Sequence, residues 1–66
     1  MINPSIVRLL LNKSEQDAAV LLAKFKCKWR VMCRDGKNEK DLSNDRDDNR
    51  YNLVLSSGKV ERVLPG

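Results

Sequence analysis

The chain has 66 residues and a mass of 7.6 kDa, which makes one domain and leaves no room for a second. A domain of this size buries only about 60% of the surface its unfolded chain exposes, so it cannot wall off a deep multi-substrate pocket. It is expected to be no enzyme, but a binding module, an inhibitor, an assembly piece or a nucleic-acid binder. The net charge is +4, yet it is unevenly spread: residues 35–48 hold six of the nine acids and three basic residues, a local net of −3 against +7 for the rest.

The absences narrow the chemistry. There is no histidine, which removes the commonest general base and metal ligand, so neither a metal nor a cofactor is expected. Cys27 and Cys33 are too few for a zinc site and lack CxxC spacing. Read on one strand, they would stand roughly 20 Å apart, too far for a disulfide. Two free, buried thiols are expected, acting as small apolar residues. With an N-terminal methionine and no signal-like segment, they predict a reducing, cytoplasmic setting. No stretch approaches the roughly 20 apolar residues of a membrane span, and a monomer is expected.

Asn3 followed by Pro4 is a helix start, with asparagine as cap and proline at the first helical position. Residues 5–11 make one or two turns, and Asn12 and Lys13 break them. Ser14 is the next N-cap, with Glu15 and Asp17 in a first turn where acids suit the helix dipole. Ala18, Leu21, Leu22 and Phe25 follow at helical spacing and predict the main amphipathic helix.

Near Lys24 the period changes from 3.6 to 2, and the helix hands over to the strand somewhere between Lys24 and Lys28. Phe25, Cys27, Trp29, Val31 and Cys33 alternate with Lys24, Lys26, Lys28, Arg30 and Met32, and Arg34 follows. This predicts a strand with a buried face and a basic face, with Trp29 in the core. Asp35-Gly36 ends it as a turn. Residues 37–49 contain one apolar residue, Leu42, and a loop that long in so small a domain is usually functional or disordered. Residues 51–55 form a second strand with Tyr51, Leu53 and Leu55 on one side, Ser57-Gly58 a turn, and residues 59–64 a third strand. The strands flanking the long loop could pair antiparallel, or parallel if the loop crosses over. The fold expected is α+β, one main helix on a small sheet with a long exposed loop between two strands.

Three stretches carry a family likeness. Leu10-Leu11-Asn12-Lys13-Ser14 with Ala18-Ala19 is the first. Leu42-Ser43-Asn44-Asp45-Arg46-Asp47-Asp48-Asn49-Arg50-Tyr51-Asn52-Leu53 is the second. Gly58-Lys59-Val60-Glu61-Arg62-Val63, closing on Gly66, is the third. In this order and spacing the chain resembles the potato inhibitor I type of serine-protease inhibitor, nearest the small bacterial and fungal elastase-inhibitor relatives. The resemblance implies a loop that enters a protease as a substrate would. Leu42 and Ser43 would lie on the non-primed side and Asn44 at the primary specificity position. The reactive bond would be Asn44–Asp45, with Arg46 on the primed side. Arg50 would support the loop, together with Asn52 and Gly66, and the partner would be a serine-type protease.

The sequence departs from the family at several of these positions. Asn44 is more polar than the apolar or basic residues usual there. Arg46 and Asp47 replace a tyrosine and an arginine. Asn52 stands where some members carry a second supporting arginine. Two alternatives stay open: a domain of this fold without inhibition, serving as a protein-interaction module, and a small basic nucleic-acid-binding accessory protein. The latter would use Lys24, Lys26, Lys28, Arg30 and Arg34 as a basic face, since cations in a row can follow a phosphate backbone. The chain holds only three aromatics, few for stacking bases.

Overall fold

A computed structural model describes residues 2–39 and 45–66. It is a small α+β domain in which two helices cover one side of a four-stranded mixed sheet. The elements in chain order are α1 (Pro4–Leu10), α2 (Glu15–Lys24), β1 (Lys28–Arg34), β2 (Lys37–Asn38), β3 (Arg50–Ser56) and β4 (Lys59–Pro65). The sheet order is β2-β1-β3-β4. β1 and β3 pair in parallel, while β1–β2 and β3–β4 are antiparallel hairpins; Lys37 and Asn38, read from the sequence as the start of the long loop, turn back on β1 as a short strand instead.

Both helices start where side-chain oxygens meet otherwise unpaired backbone N–H groups. Asn3 Oδ1 accepts from the Ser5 amide at 2.8 Å and Ser14 Oγ from the Asp17 amide at 3.1 Å. The end of α2 locates the handover that the sequence left open between Lys24 and Lys28. The Lys26 amide donates to Ala23 O and the Cys27 amide to Leu22 O, with Lys26 left-handed at φ 56°. This is a Schellman motif, which closes the last carbonyls of a helix. Residues 25–27 are therefore a helix cap, not the start of a strand. Phe25, expected inside, is 42% exposed. Cys27 precedes β1, and both thiols are free and half-buried rather than buried.

The core lies between the helices and the sheet. Leu10, Ala18, Leu22, Tyr51, Leu53, Leu55 and Val60 form one buried cluster, with Trp29, Val31 and Val63 packed against it. Two irregularities decide which side chains reach it. In β1 the pairing slips between Val31 and Cys33, so Met32 is an extra residue and the strand's faces exchange beyond it. Val31 faces Leu53 in register, but Arg34 faces Leu55. In β4 the slip sets Val60 opposite Leu55 and Arg62 opposite Val54. The extra residue, Glu61, lets Val60 and Val63, three apart, both reach the core.

The hairpins turn on Asp35-Gly36 and Ser57-Gly58, all four residues having positive φ between 50° and 81°. That is the two-residue hairpin turn whose twist matches the flanking strands. The two tips are tied together, because Asp35 Oδ1 accepts from the Ser57 amide at 2.8 Å. Among the described residues no helix is long and apolar enough to cross a membrane.

Candidate functional site

The site lies at the opposite end of the sheet from the hairpin tips, where β1 and β3 both begin. Parallel register sets Lys28 beside Arg50 and Arg30 beside Asn52. Strand alternation sends these four to the face away from the core, since Trp29, Tyr51, Val31 and Leu53 between them face inward. Residues 45–49 lead into β3 next to them.

Arg50 is the centre of the arrangement. Its side chain is only 14% exposed. Nη2 donates to the Asp45 backbone oxygen at 2.8 Å and to the Gly66 backbone oxygen at 2.6 Å. Nη1 lies 3.5 Å from Asp45 Oδ2, but that carboxylate is 65% exposed, so the ion pair is weakened by solvent. The backbone bonds are the stronger restraint, because hydrogen bonds from a charged donor are roughly twice as strong as neutral ones.

A second anchor holds the turn before β3. Asp47 Oδ1 accepts from the Asn49 amide at 3.0 Å, and the Arg50 amide donates to Asp47 O at 3.0 Å. Asp47 Oδ2 pairs with Lys28 Nζ at 3.3 Å. The Asn49 amide above all, and then Lys28, hold the Asp47 carboxyl below the ordinary carboxylate range, against some opposing desolvation. By contrast Arg46 and Asp48, 3.5 Å apart, are 87% and 69% exposed and constrain little.

Beneath Arg50 a polar network crosses three strands. Asn52, 2% exposed, accepts from Arg30 Nε through Oδ1 at 2.5 Å and donates through Nδ2 to Leu64 O at 3.1 Å. Arg30 Nη2 reaches the Gly66 oxygen at 3.4 Å. Gly66 sits at φ 113°, a conformation open to glycine and strained for other residues.

The residues named from the sequence fall into three groups. Asp45, Arg50, Asn52 and Gly66 come together. Arg46 is nearby and exposed. Leu42, Ser43 and Asn44 lie outside the described residues. The basic face is corrected, because its five cations do not share one surface. Lys24 ends α2 and Lys26 sits in the helix cap. Lys28 and Arg30 turn toward the Asp45–Asn52 network. Beyond the extra residue at Met32, Arg34 points to the helix side and pairs with Glu15 at 2.5 Å and with Glu39. Those two carboxylates, Glu15 first, raise the Arg34 pKa.

The membership of Arg30 in this network escaped the sequence reading. The available signal was parallel pairing, which sets Arg30 beside Asn52, but a single sequence does not fix the register of two strands separated by a long loop. Among the described residues no three of histidine, cysteine, aspartate or glutamate gather as metal ligands. Comparison with protein-family models, with curated proteins and with solved structures gives no match.

Proposed function

We propose that the chain is a substrate-like inhibitor of a serine-type protease, with the potato inhibitor I arrangement and Asn44–Asp45 as its reactive bond. One observation carries the reading. Arg50 fixes the backbone of Asp45, the residue on the amine side of that bond, to the end of β4 through Gly66. Supporting it, described residues 45–49 are tied down at Asp47 as well as at Asp45.

Such tethering has a chemical consequence. A loop ordered before binding avoids the cost of ordering on binding. When a protease serine attacks the Asn44 carbonyl carbon, the bond to the Asp45 nitrogen breaks and that nitrogen leaves as an amine. Arg50 holds the Asp45 backbone, so the amine stays beside the acyl group instead of diffusing away. Its high effective concentration favours attack back on the acyl carbon, which restores the bond and frees the serine. Slow net hydrolysis and persistent occupancy of the active site follow.

The reading is tested by titrating the chain against subtilisin-, chymotrypsin-, trypsin- and elastase-like proteases with small chromogenic substrates. Stoichiometric loss of activity of at least one protease is expected. Complete degradation of the chain with no inhibition across the panel contradicts it.

A further inference from the structure

We infer that Arg30 is a positioning residue for the loop, acting through Asn52 and Gly66 to hold the Arg50 guanidinium against the Asp45 backbone. Its effect on protease binding rests on the inhibitor reading above; its effect on the loop does not.

The resemblance places a second supporting arginine on the same strand as Arg50, where this chain has Asn52. A buried amide supplies hydrogen bonds but no charge. The structure brings the charge from the neighbouring strand: Arg30 stands beside Asn52 in parallel register. The planar fork then divides its work. Nε meets Asn52 Oδ1 at 2.5 Å, and Nη2 reaches toward the Gly66 oxygen at 3.4 Å. That same Gly66 oxygen takes Arg50 Nη2 at 2.6 Å, and the same Nη2 reaches Asp45 O at 2.8 Å.

Two routes therefore run from Arg30 to the end of β4 and the residue that follows it. One is direct, to Gly66. The other passes through Asn52, whose Nδ2 holds Leu64 O at 3.1 Å. The Asn52 amide is 2% exposed. With Oδ1 bound by Arg30 it is oriented to donate to Leu64. Without Arg30, a buried acceptor loses its charged donor, which is costly, and the amide is free to turn. Gly66 lies beyond the last register pair, Tyr51–Pro65, so strand pairing alone does not place its oxygen. Arg30 reaches it directly and, through Asn52, ties down the strand two residues before it, which gives Arg50 a fixed acceptor from which to reach Asp45. A lysine at position 30 keeps the charge but lacks the planar fork that spans two acceptors.

The test uses the full chain with Arg30→Met, Arg30→Lys and Arg30→Gln. The control is Arg62→Met, which removes an exposed cation from β4. Amide hydrogen exchange is followed at residues 45–49, with the Leu53 amide reporting global opening. The expected result is exchange at 45–49 about tenfold faster in Arg30→Met, relative to Leu53. Arg30→Lys fails to restore protection, and Arg62→Met matches wild type. Should Arg30→Met not fold, Arg30→Gln carries the same expectation. Acceleration at 45–49 and Leu53 in equal proportion overturns the inference, because it marks a merely structural role. Full protection in Arg30→Lys also overturns it, because charge alone then suffices.

A second measurement follows cleavage of Arg30→Met by any protease that the wild type inhibits, with hydrolysis about tenfold faster expected. If the wild type inhibits nothing, the inhibitor reading fails, and exchange still decides whether Arg30 positions the loop. If the wild type inhibits and exchange at 45–49 is unchanged in Arg30→Met, the positioning role fails alone.

Discussion

The Arg50 guanidinium and the Gly66 backbone oxygen stand 2.6 Å apart, joining the first residue of β3 to the residue that follows β4. Through the same nitrogen Arg50 also holds the Asp45 backbone. Replacing Arg50 by methionine keeps much of the side-chain volume and removes both bonds. The expected loss is about 2 kcal/mol, the scale of hydrogen bonds from a charged group. Urea unfolding measures it. Limited proteolysis should show new cuts within residues 45–49 before the core opens.

Asp47 gives the site an acid limit. Its carboxyl is held below the ordinary range by the Asn49 amide and Lys28. A depressed folded pKa stabilises the fold above the unfolded value, and that stability is lost as pH falls through the folded pKa. The turn before β3 should thus stay intact through neutral and mildly acidic pH and loosen only below the usual carboxylate range. NMR titration of the Asp47 side-chain carboxyl carbon checks this. A midpoint at or above the ordinary aspartate value contradicts it, and Asp47→Asn should abolish the acid-linked change in Asn49 amide exchange.

Lys26 occupies a left-handed position at the end of α2, at φ 56°, and is exposed. A side chain in that conformation costs roughly 1–2 kcal/mol, whereas glycine is favoured there. Part of the gain from Lys26→Gly is offset by the greater freedom of glycine in the unfolded chain. A net stabilisation of about 1 kcal/mol is expected, read as a higher midpoint in thermal unfolding with the helix content unchanged.

Much of the framework was legible because local chemistry sets it. Asn3-Pro4 and Ser14 announce the two helix starts, and Asp35-Gly36 and Ser57-Gly58 announce the two hairpin turns. The alternation of Tyr51, Leu53 and Leu55 marks the central strand. What escaped depends on pairing. The Schellman cap at residues 25–27 lacks the usual glycine, so Lys26 read as part of an alternating strand. The extra residues at Met32 and Glu61 exchange strand faces, which turns Arg34 to the helices and brings Val63 to the core. In the site, Arg50, Asn52 and Asp45 could be named only through the family resemblance. Arg30 could not, since its partner is 22 residues away and only the parallel register brings the two together.

Leu22 tests the core. It is fully buried in α2 against the cluster that includes Leu53 and Val60. Leu22→Ala should cost about 2–5 kcal/mol. For a domain of this length, total stability is roughly 3–10 kcal/mol, so the loss is a large share of the whole and the urea midpoint should fall clearly. Far-UV circular dichroism against urea measures it, and a loss under 1 kcal/mol contradicts the packing described.

The most direct test of the loop's role is the equilibrium at the Asn44–Asp45 bond. Intact chain, and chain already cut at that bond, are each incubated with a catalytic amount of whichever protease of the panel loses activity on titration. Mass spectrometry then follows the ratio of intact to cut chain. With the Asp45 backbone held by Arg50 and Gly66, the new amine stays in place, so the two samples should converge on one ratio, with intact chain re-formed from the cut form. Steady loss of intact chain, with none regenerated from the cut sample, contradicts the account.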